Sequence, residues 1–290
     1  MKLLSTSFTY LLLLLSTFAI AQPDTTAKDS VIRAWTFSGQ NSLGFSQIAL
    51  SNWSAGGENS YTLNASVNLN ATRSWGKNIW QNSLNIGYGI QQLEHQGTKK
   101  LNDLLIVNTQ YGYKASGKWF YTGRVNLETQ LTKGYDYNVT PKKFTSTWFA
   151  PAYLLASVGL EFRSTNKVVT VLFSPATAKY TIVDNDYLSS IGAFGVATGN
   201  AYRSEFGGAI ITMYKKAEII KNVNVDSILG LFSNYSDKPN NIDVSWQLLV
   251  VMKVNKLLST IFSTHLLYDD NVIGEVQLKE MLTVGLSYNF

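Results

Sequence analysis

Strict alternation of apolar and polar residues, sustained over runs of fifteen or sixteen positions, is the feature that most constrains this chain. Tyr61, Leu63, Ala65, Val67 and Leu69 share one parity, and Thr62, Asn64, Ser66, Asn68 and Asn70 the other. Leu84, Ile86, Tyr88 and Ile90 oppose Asn85, Gly87, Gly89 and Gln91 in the next run. A period of two sends successive side chains to opposite faces of a strand. Soluble strands run to about 5–6 residues, whereas a strand crossing lipid needs about 9–11 plus whatever projects beyond the bilayer. Two architectures can cover so long an apolar face. In a sandwich a second sheet does it; in a membrane barrel hydrocarbon does it, and the polar face looks inward.

The pattern parses into twelve strands, at 35–43, 60–74, 79–92, 104–114, 118–132, 152–164, 168–174, 203–215, 222–233, 242–254, 257–268 and 275–290. Odd-numbered connections are long and even-numbered ones short. The short ones carry turn residues, such as Gly76-Lys77-Asn78 and Ala115-Ser116-Gly117. That segregation is the plan of an outer-membrane barrel, with tight turns on the side of the termini and long loops opposite. The expected fold is therefore all-β, a transmembrane antiparallel up-and-down barrel of about twelve strands. The segment 175–202 could lengthen strands, fold inward as a plug, or add a hairpin and make fourteen. Leu286, Tyr288 and Phe290 end the last alternating run on a terminal aromatic, resembling the signal by which bacterial outer-membrane barrels are recognised for assembly. Trp75, Trp80, Trp119 and Tyr121 flank the short turns, as an interfacial girdle would.

Composition supports this plan by exclusion. Charged residues are only 15% and aromatics 13%, and mean hydropathy is −0.02, so a bundle of membrane helices is excluded. With no cysteine there is no disulfide scaffold, thiol nucleophile or Cys-ligated zinc, and two histidines, His95 and His265, cannot build a multi-histidine metal site. Lys2, the apolar run around Leu11–Leu15 and Ala19-Ile20-Ala21 form a secretory signal cut after Ala21. The expected division is a signal at 1–21, a polar periplasmic lead-in at 22–34 and the barrel at 35–290. The formal net charge of +5 is spread along the chain, without the basic cluster that nucleic acid would need.

The stretch Phe45-Ser46-Gln47-Ile48-Ala49-Leu50-Ser51-Asn52-Trp53-Ser54-Ala55-Gly56-Gly57-Glu58-Asn59-Ser60 resembles the opening motif of a Bacteroidota outer-membrane family known only as domain of unknown function 3078. Ala150-Pro151-Ala152-Tyr153-Leu154 and Leu172 to Tyr180, followed by Gly192-Ala193-Phe194-Gly195-Val196, resemble it too. The resemblance implies an outer-membrane barrel in a Gram-negative envelope and carries no activity. Where that family often has Pro-Leu-Thr-Gly-Lys, this chain has Pro175-Ala176-Thr177-Ala178-Lys179, which removes a glycine from a possible turn.

Parity places Arg124, Glu128, Glu161, Asp226, Asp243, Lys253, Ser263 and His265 in the lumen, with Ile106, Leu249, Val251 and Ile261 beside them. Charges of both signs can brace a narrow barrel or line a conducting path, and both readings stay open. Ser263 and His265 share a face, but no nucleophile motif surrounds either, so a lipid hydrolase is a remote alternative. Asp184-Asn185-Asp186 and Asp269-Asp270-Asn271 are oxygen-rich, yet a bare D-x-D lacks the remaining calcium ligands, and no metal is expected. Gly56 and Gly57 are read as a turn, because no Gly-Lys-Ser/Thr follows. With Asn52, Trp53 and Glu58 they form a loop motif that could meet a membrane surface or a partner. No catalytic residue and no cofactor motif appears. The expected function is a non-enzymatic barrel giving a small solute a passive route gated by outer loops, or else a structural or accessory subunit of an envelope complex. Expected partners are outer-membrane lipid and lipopolysaccharide, the β-barrel assembly machinery and subunits of such a complex.

Overall fold

The computed structural model describes residues 35–51 and 58–290. Twelve of its strands hydrogen-bond in one closed antiparallel ring. In chain order they are β1 (Thr36–Ile48), β2 (Ser60–Trp75), β3 (Asn78–Leu93), β4 (Gly97–Ser116), β5 (Trp119–Thr129), β8 (Ala152–Arg163), β9 (Val169–Ile182), β10 (Tyr202–Ile220), β11 (Val223–Asn234), β12 (Ile242–Lys253), β13 (Leu258–Asp269) and β14 (Ile273–Asn289). β6 (Gly134–Asp136) and β7 (Lys143–Ser146) pair only with each other, in the loop between β5 and β8. The ring thus has the expected twelve strands, and the fourteen-strand option does not hold.

Parity controls the wall. Tyr61, Val107, Tyr121, Val158, Phe206 and Leu282 point out of it and are exposed, while their neighbours point in. Among the described residues no second sheet packs against that outer face; the remaining pair, β6 and β7, forms its own small ribbon. Aromatics gather at the end carrying the termini and tight turns: Trp35 with Trp80 at 5.4 Å, Trp75 with Tyr111 at 6.1 Å and Trp119 with Phe162 at 5.5 Å between ring centroids. Phe290 closes the ring there, its backbone exchanging bonds of 2.9 and 3.1 Å with Gly39. A Cβ on Gly39 would stand 2.5 Å from the Phe290 ring, so this contact needs glycine. Leu286 and Tyr288 face outward.

The structure departs from the sequence parse in three places. Strand 168–174 does not stop before Pro175; β9 runs on to Ile182 through a bulge at Ser174-Pro175, visible as register shifts against both β8 and β10. Proline has no N–H for the ladder, and the Ser174 hydroxyl instead donates to the Val158 carbonyl at 2.9 Å. Ala178 pairs with Ala156 and Phe206 inside β9, so no turn is needed there. Segment 183–201 adds neither hairpin nor strand. It forms α1 (Asp186–Ser190), capped by the Asn185 side chain accepting from Leu188 N, and a 3-10 turn at 193–195. Finally, the outer connections 94–96 and 270–272 are tight, because β4 and β14 begin earlier than their apolar alternation does. Glu280 faces outward midway along β14, between Leu278 and Leu282.

Candidate functional site: the barrel lumen

The lumen holds two polar constellations. The lower one, towards the termini, is built on β4, β5 and β8. Arg124 is buried and donates to Asn108 Oδ1 at 2.8 Å and Gln110 Oε1 at 3.2 Å. Gln110 donates to Glu161 at 2.5 Å. Glu161 is fully buried and also pairs with Arg163, whose guanidinium lies 4.5 Å from the Phe120 ring. An amide therefore separates Arg124 from its nearest buried acid, and its Nε has no protein partner. Arg124 further reaches Met213 Sδ on β10 at 3.2 Å, across the lumen.

The upper constellation joins strands from the far side of the ring. Lys179 Nζ lies 2.5 Å from Asp243, 2.6 Å from Asp269 and 3.4 Å from Glu205. Arg203 pairs with Glu205 at 3.0 Å and Asp269 at 3.1 Å, and donates to the Gly195 carbonyl at 3.1 Å. Gly195 has φ 72°, and a Cβ there would meet Asn271 O at 2.2 Å and Arg203 at 2.4 Å. The 3-10 turn can press against the mouth because this residue is glycine. Ala150, Val183, Leu188 and Val196 form the small apolar core beneath the loop, with Phe194 packed on it.

Between the constellations lies a cavity of about 390 Å³. Its apolar wall includes Ile106, Leu155, Ile211, Ile228 and Phe232, and Phe194 reaches it from the loop. Arg124, Glu128, Lys179 and Asp243 supply its charge. Such a space can hold a small molecule with an apolar body and a charged end.

Most sequence-derived candidates meet here. Glu128 lies 3.8 Å from His265 Nδ1 and accepts from Gln247 at 3.4 Å, both across the lumen. A further cross-lumen bond joins Lys279 to Asn102 at 2.7 Å. These bridges join opposite walls of the ring. His265 Nε2 has no partner, and no hydrogen bond joins Ser263 to His265 among the described residues. Asp226 and Lys253 have inward parity but stand three residues or fewer from the ends of their strands, at the terminal rim. Asp226, with a side chain 42% exposed, pairs with Lys215 at 3.4 Å. Both keep the inward parity read from the sequence and sit at the terminal rim of the lumen, since parity fixes a face but not a depth. Asn52, Trp53, Gly56 and Gly57 lie outside the described residues, as do 1–34. Glu58 accepts from His95 N at 2.5 Å and Gln96 at 3.0 Å, and Asn59 donates to Glu94 at 2.8 Å, so this end of the motif ties the β1–β2 loop to the 94–96 turn. Those bonds hold the Glu58 carboxyl below the ordinary carboxylate range, the His95 amide most of all.

Lys179, Arg203 and Glu205 were not among the lumen candidates of the sequence reading, and Asp269 was read there only as a loop carboxylate. Lys179 was hidden by Pro175: inward parity is even up to Ser174 and odd from Thr177 onward, because the bulge inserts one residue. Oxygens of Asp243, Asp269 and Asp270 lie within 4.8 Å of one another, but the Lys179 ammonium already binds two of these carboxylates.

Residues 45–135 match the model of the family described as Protein of unknown function (DUF3078). The match begins at Phe45, the first residue of the motif quoted above, and the stretches at 150–154 and 172–196 lie beyond it. No curated protein matches the sequence. Among solved structures, the chain is similar to the translocator domain of the autotransporter NalP from Neisseria meningitidis, at 10% identity and TM-score 0.38 over 92% of this chain and 90% of that one. It is similar to the beta domain of the Bordetella autotransporter Brka at 15% and 0.31, over 87% and 99%. It is also similar to Salmonella typhi OmpF at 9% and 0.26, over 88% and 97%.

Proposed function

We propose that this chain is a non-enzymatic integral outer-membrane barrel that takes a small amphiphilic solute into its upper lumen and releases it when the outer loops move. The wall supports the membrane assignment: large apolar side chains are exposed around the ring, and aromatics gather at the terminal end, the pattern of a lipid-solvated barrel. In this reading the signal at 1–21 exports the chain, the termini and tight turns face the periplasm, and 183–201 lies outside. The apolar face contacts outer-membrane lipid and lipopolysaccharide, and the segment ending in Leu286, Tyr288 and Phe290 addresses the assembly machinery.

The observation that carries the solute role is the cavity of about 390 Å³, capped by Phe194 and floored by Arg124 and its amide partners. A barrel braced in this way is closed at rest. In planar bilayers the wild-type protein is expected to carry no steady current. Arg203→Ala, which releases the Gly195 carbonyl and Asp269, is expected to give openings severalfold more frequent than wild type. A steady porin-like current from the wild type would contradict the closed floor. Equal silence from Arg203→Ala and Lys179→Met would remove the loop as a gate.

A further inference from the structure

One seam of the ring is unlike the others. β2 pairs with β3 along the whole of Ser60–Trp75, and β1 pairs with β2 from Thr36 to Ile48. Between β1 and β14, however, the ladder covers only Gln40–Gly44 against Gly285–Asn289, with the Gly39–Phe290 bonds below it. Above Gly44, Phe45–Ile48 continue along β2, and Ile273–Val284 continue along β13. Among the described residues no backbone ladder pairs across; the seam is crossed there by the Asn64 side chain of β2, which donates to Met281 Sδ of β14 at 3.0 Å. The wall therefore has a slit in its loop-end half.

Exposure follows the slit. Ile273–Glu280 are exposed at every position, the longest such run in the ring, and Phe45–Ile48 are exposed at every position too. Both lips carry apolar side chains, with Phe45 at 60%, Val276 at 60% and Leu282 at 67% exposure. The fork is a pair of opposed glycines, Gly44 and Gly285. A Cβ on Gly285 would stand 2.2 Å from the Leu43 carbonyl, so the strands pass closest where they begin to separate. Hydrocarbon cannot satisfy a bare strand edge, and such backbone persists at membrane depth only where it borders protein or a watered cavity. Glu280 agrees: an outward carboxylate in the middle of β14 is costly against lipid and is relieved beside a hydrated opening.

The slit leads to the cavity, whose lining includes Ile273 and Gln277 of the β14 lip. Deeper in, the cavity runs past Glu128, Lys179 and Asp243 to Arg124, a buried guanidinium that has no carboxylate at salt-bridge distance among the described residues and an unpartnered Nε. A buried cation whose nearest acid, Glu161, is reached only through Gln110 favours an anion. We infer that the solute exchanges with the surrounding outer leaflet through the upper β1–β14 seam, and that its class is an anionic amphiphile, one acidic group for Arg124 on an apolar body. This rests on the solute role proposed above and names both route and ligand.

The test uses the absence of native cysteine. Continuing the β1–β14 register sets Ser46 opposite Thr283, so oxidising Ser46→Cys/Thr283→Cys staples the slit; dibromobimane bridges the same pair where direct oxidation is incomplete. The full-length protein in proteoliposomes is irradiated with palmitic acid bearing a chain diazirine, or with the corresponding alcohol, and the labelled positions are mapped. The acid is expected to label Ile211 and Phe232 in the reduced protein. Stapling is expected to abolish that labelling while outward Phe206 keeps its label, and the alcohol is expected to label the cavity severalfold less. Undiminished cavity labelling after stapling overturns the lateral route, and equal labelling by the alcohol overturns the anionic class. A thiol pair joined by neither reagent contradicts the slit geometry. Absence of cavity label in every state refutes the solute role itself, an outcome distinct from the other three.

Discussion

The floor and the mouth of the lumen solve the same electrostatic problem in different ways. At the floor, Arg124 and Glu161 are joined through Gln110, and these three come from the neighbouring strands β4, β5 and β8, with the Met213 sulfur of β10 as the one contact across the lumen. At the mouth, Lys179 and Arg203 touch their carboxylates directly, and those carboxylates come from β10, β12 and β13. Strands that are already laddered together gain little new topology from a polar brace, so the floor fixes side chains in a wall that stands without them. The mouth cluster gathers four strands and a loop carbonyl around a single ammonium and a single guanidinium. Its geometry depends on all of them and can be lost as a unit. The proposed gate lies at the mouth, with the floor as its support.

The largest effect is expected where burial is complete. Glu161→Ala leaves Arg163 and Gln110 without their acceptor and removes the acid nearest Arg124. Breaking a buried pair from one side costs about 3–5 kcal/mol, which should appear as a lowered urea midpoint for the heat-modifiable band of the folded barrel. A loss under 1 kcal/mol, expected only of solvated pairs, would place this group with the mouth and erase the contrast.

Lys179→Met comes next. Its side chain is 12% exposed, so the loss should be smaller than at the floor, about 2 kcal/mol. The more telling result concerns cations. With the ammonium gone, the oxygens of Asp243, Asp269 and Asp270, within 4.8 Å of one another, repel. Calcium should then restore stability to the variant, reversibly with chelator, and leave the wild type unchanged. Calcium stabilisation of both proteins would mean that Lys179 does not control the cluster.

Lys179 belongs to the mouth only because of the Ser174-Pro175 bulge, and this locates the limit of what the sequence discloses. The barrel was legible because parity runs through every long strand: twelve runs, their order and their inward charges could be read one residue at a time. Arg124, Glu128, Glu161 and Asp243 were found that way. Depth was not legible: Asp226 and Lys253 have the inward parity read for them but stand at the terminal rim. Pairing across the ring was not legible either, since contacts such as Glu128 with His265 arise only on closure. Parity itself fails at a bulge, where proline mimics a strand end. Ser174→Ala probes that point. It removes the hydroxyl that bonds the Val158 carbonyl and Thr177, and it should cost about 1–2 kcal/mol while weakening the coupling between Lys179 and Asp243 in a double-mutant cycle.

The smallest effect lies beyond the mouth, where Glu58 holds the β1–β2 loop to the 94–96 turn in the open. A fully solvent-facing anchor extends the comparison to its limit, because water competes for every bond it makes. The His95 amide and the Gln96 side chain depress the Glu58 carboxyl, so the anchor contributes above the ordinary carboxylate range and is lost as pH falls through the lowered value. Glu58→Gln keeps an acceptor oxygen and removes the charge. At neutral pH the His95 amide should exchange its hydrogen faster in this variant than in wild type. At a pH low enough to protonate Glu58, the two proteins should exchange alike. A difference that persisted unchanged into acid would show that the loop is held by shape and not by this carboxylate, and the gradation from buried floor to solvated rim would then stop at the mouth cluster.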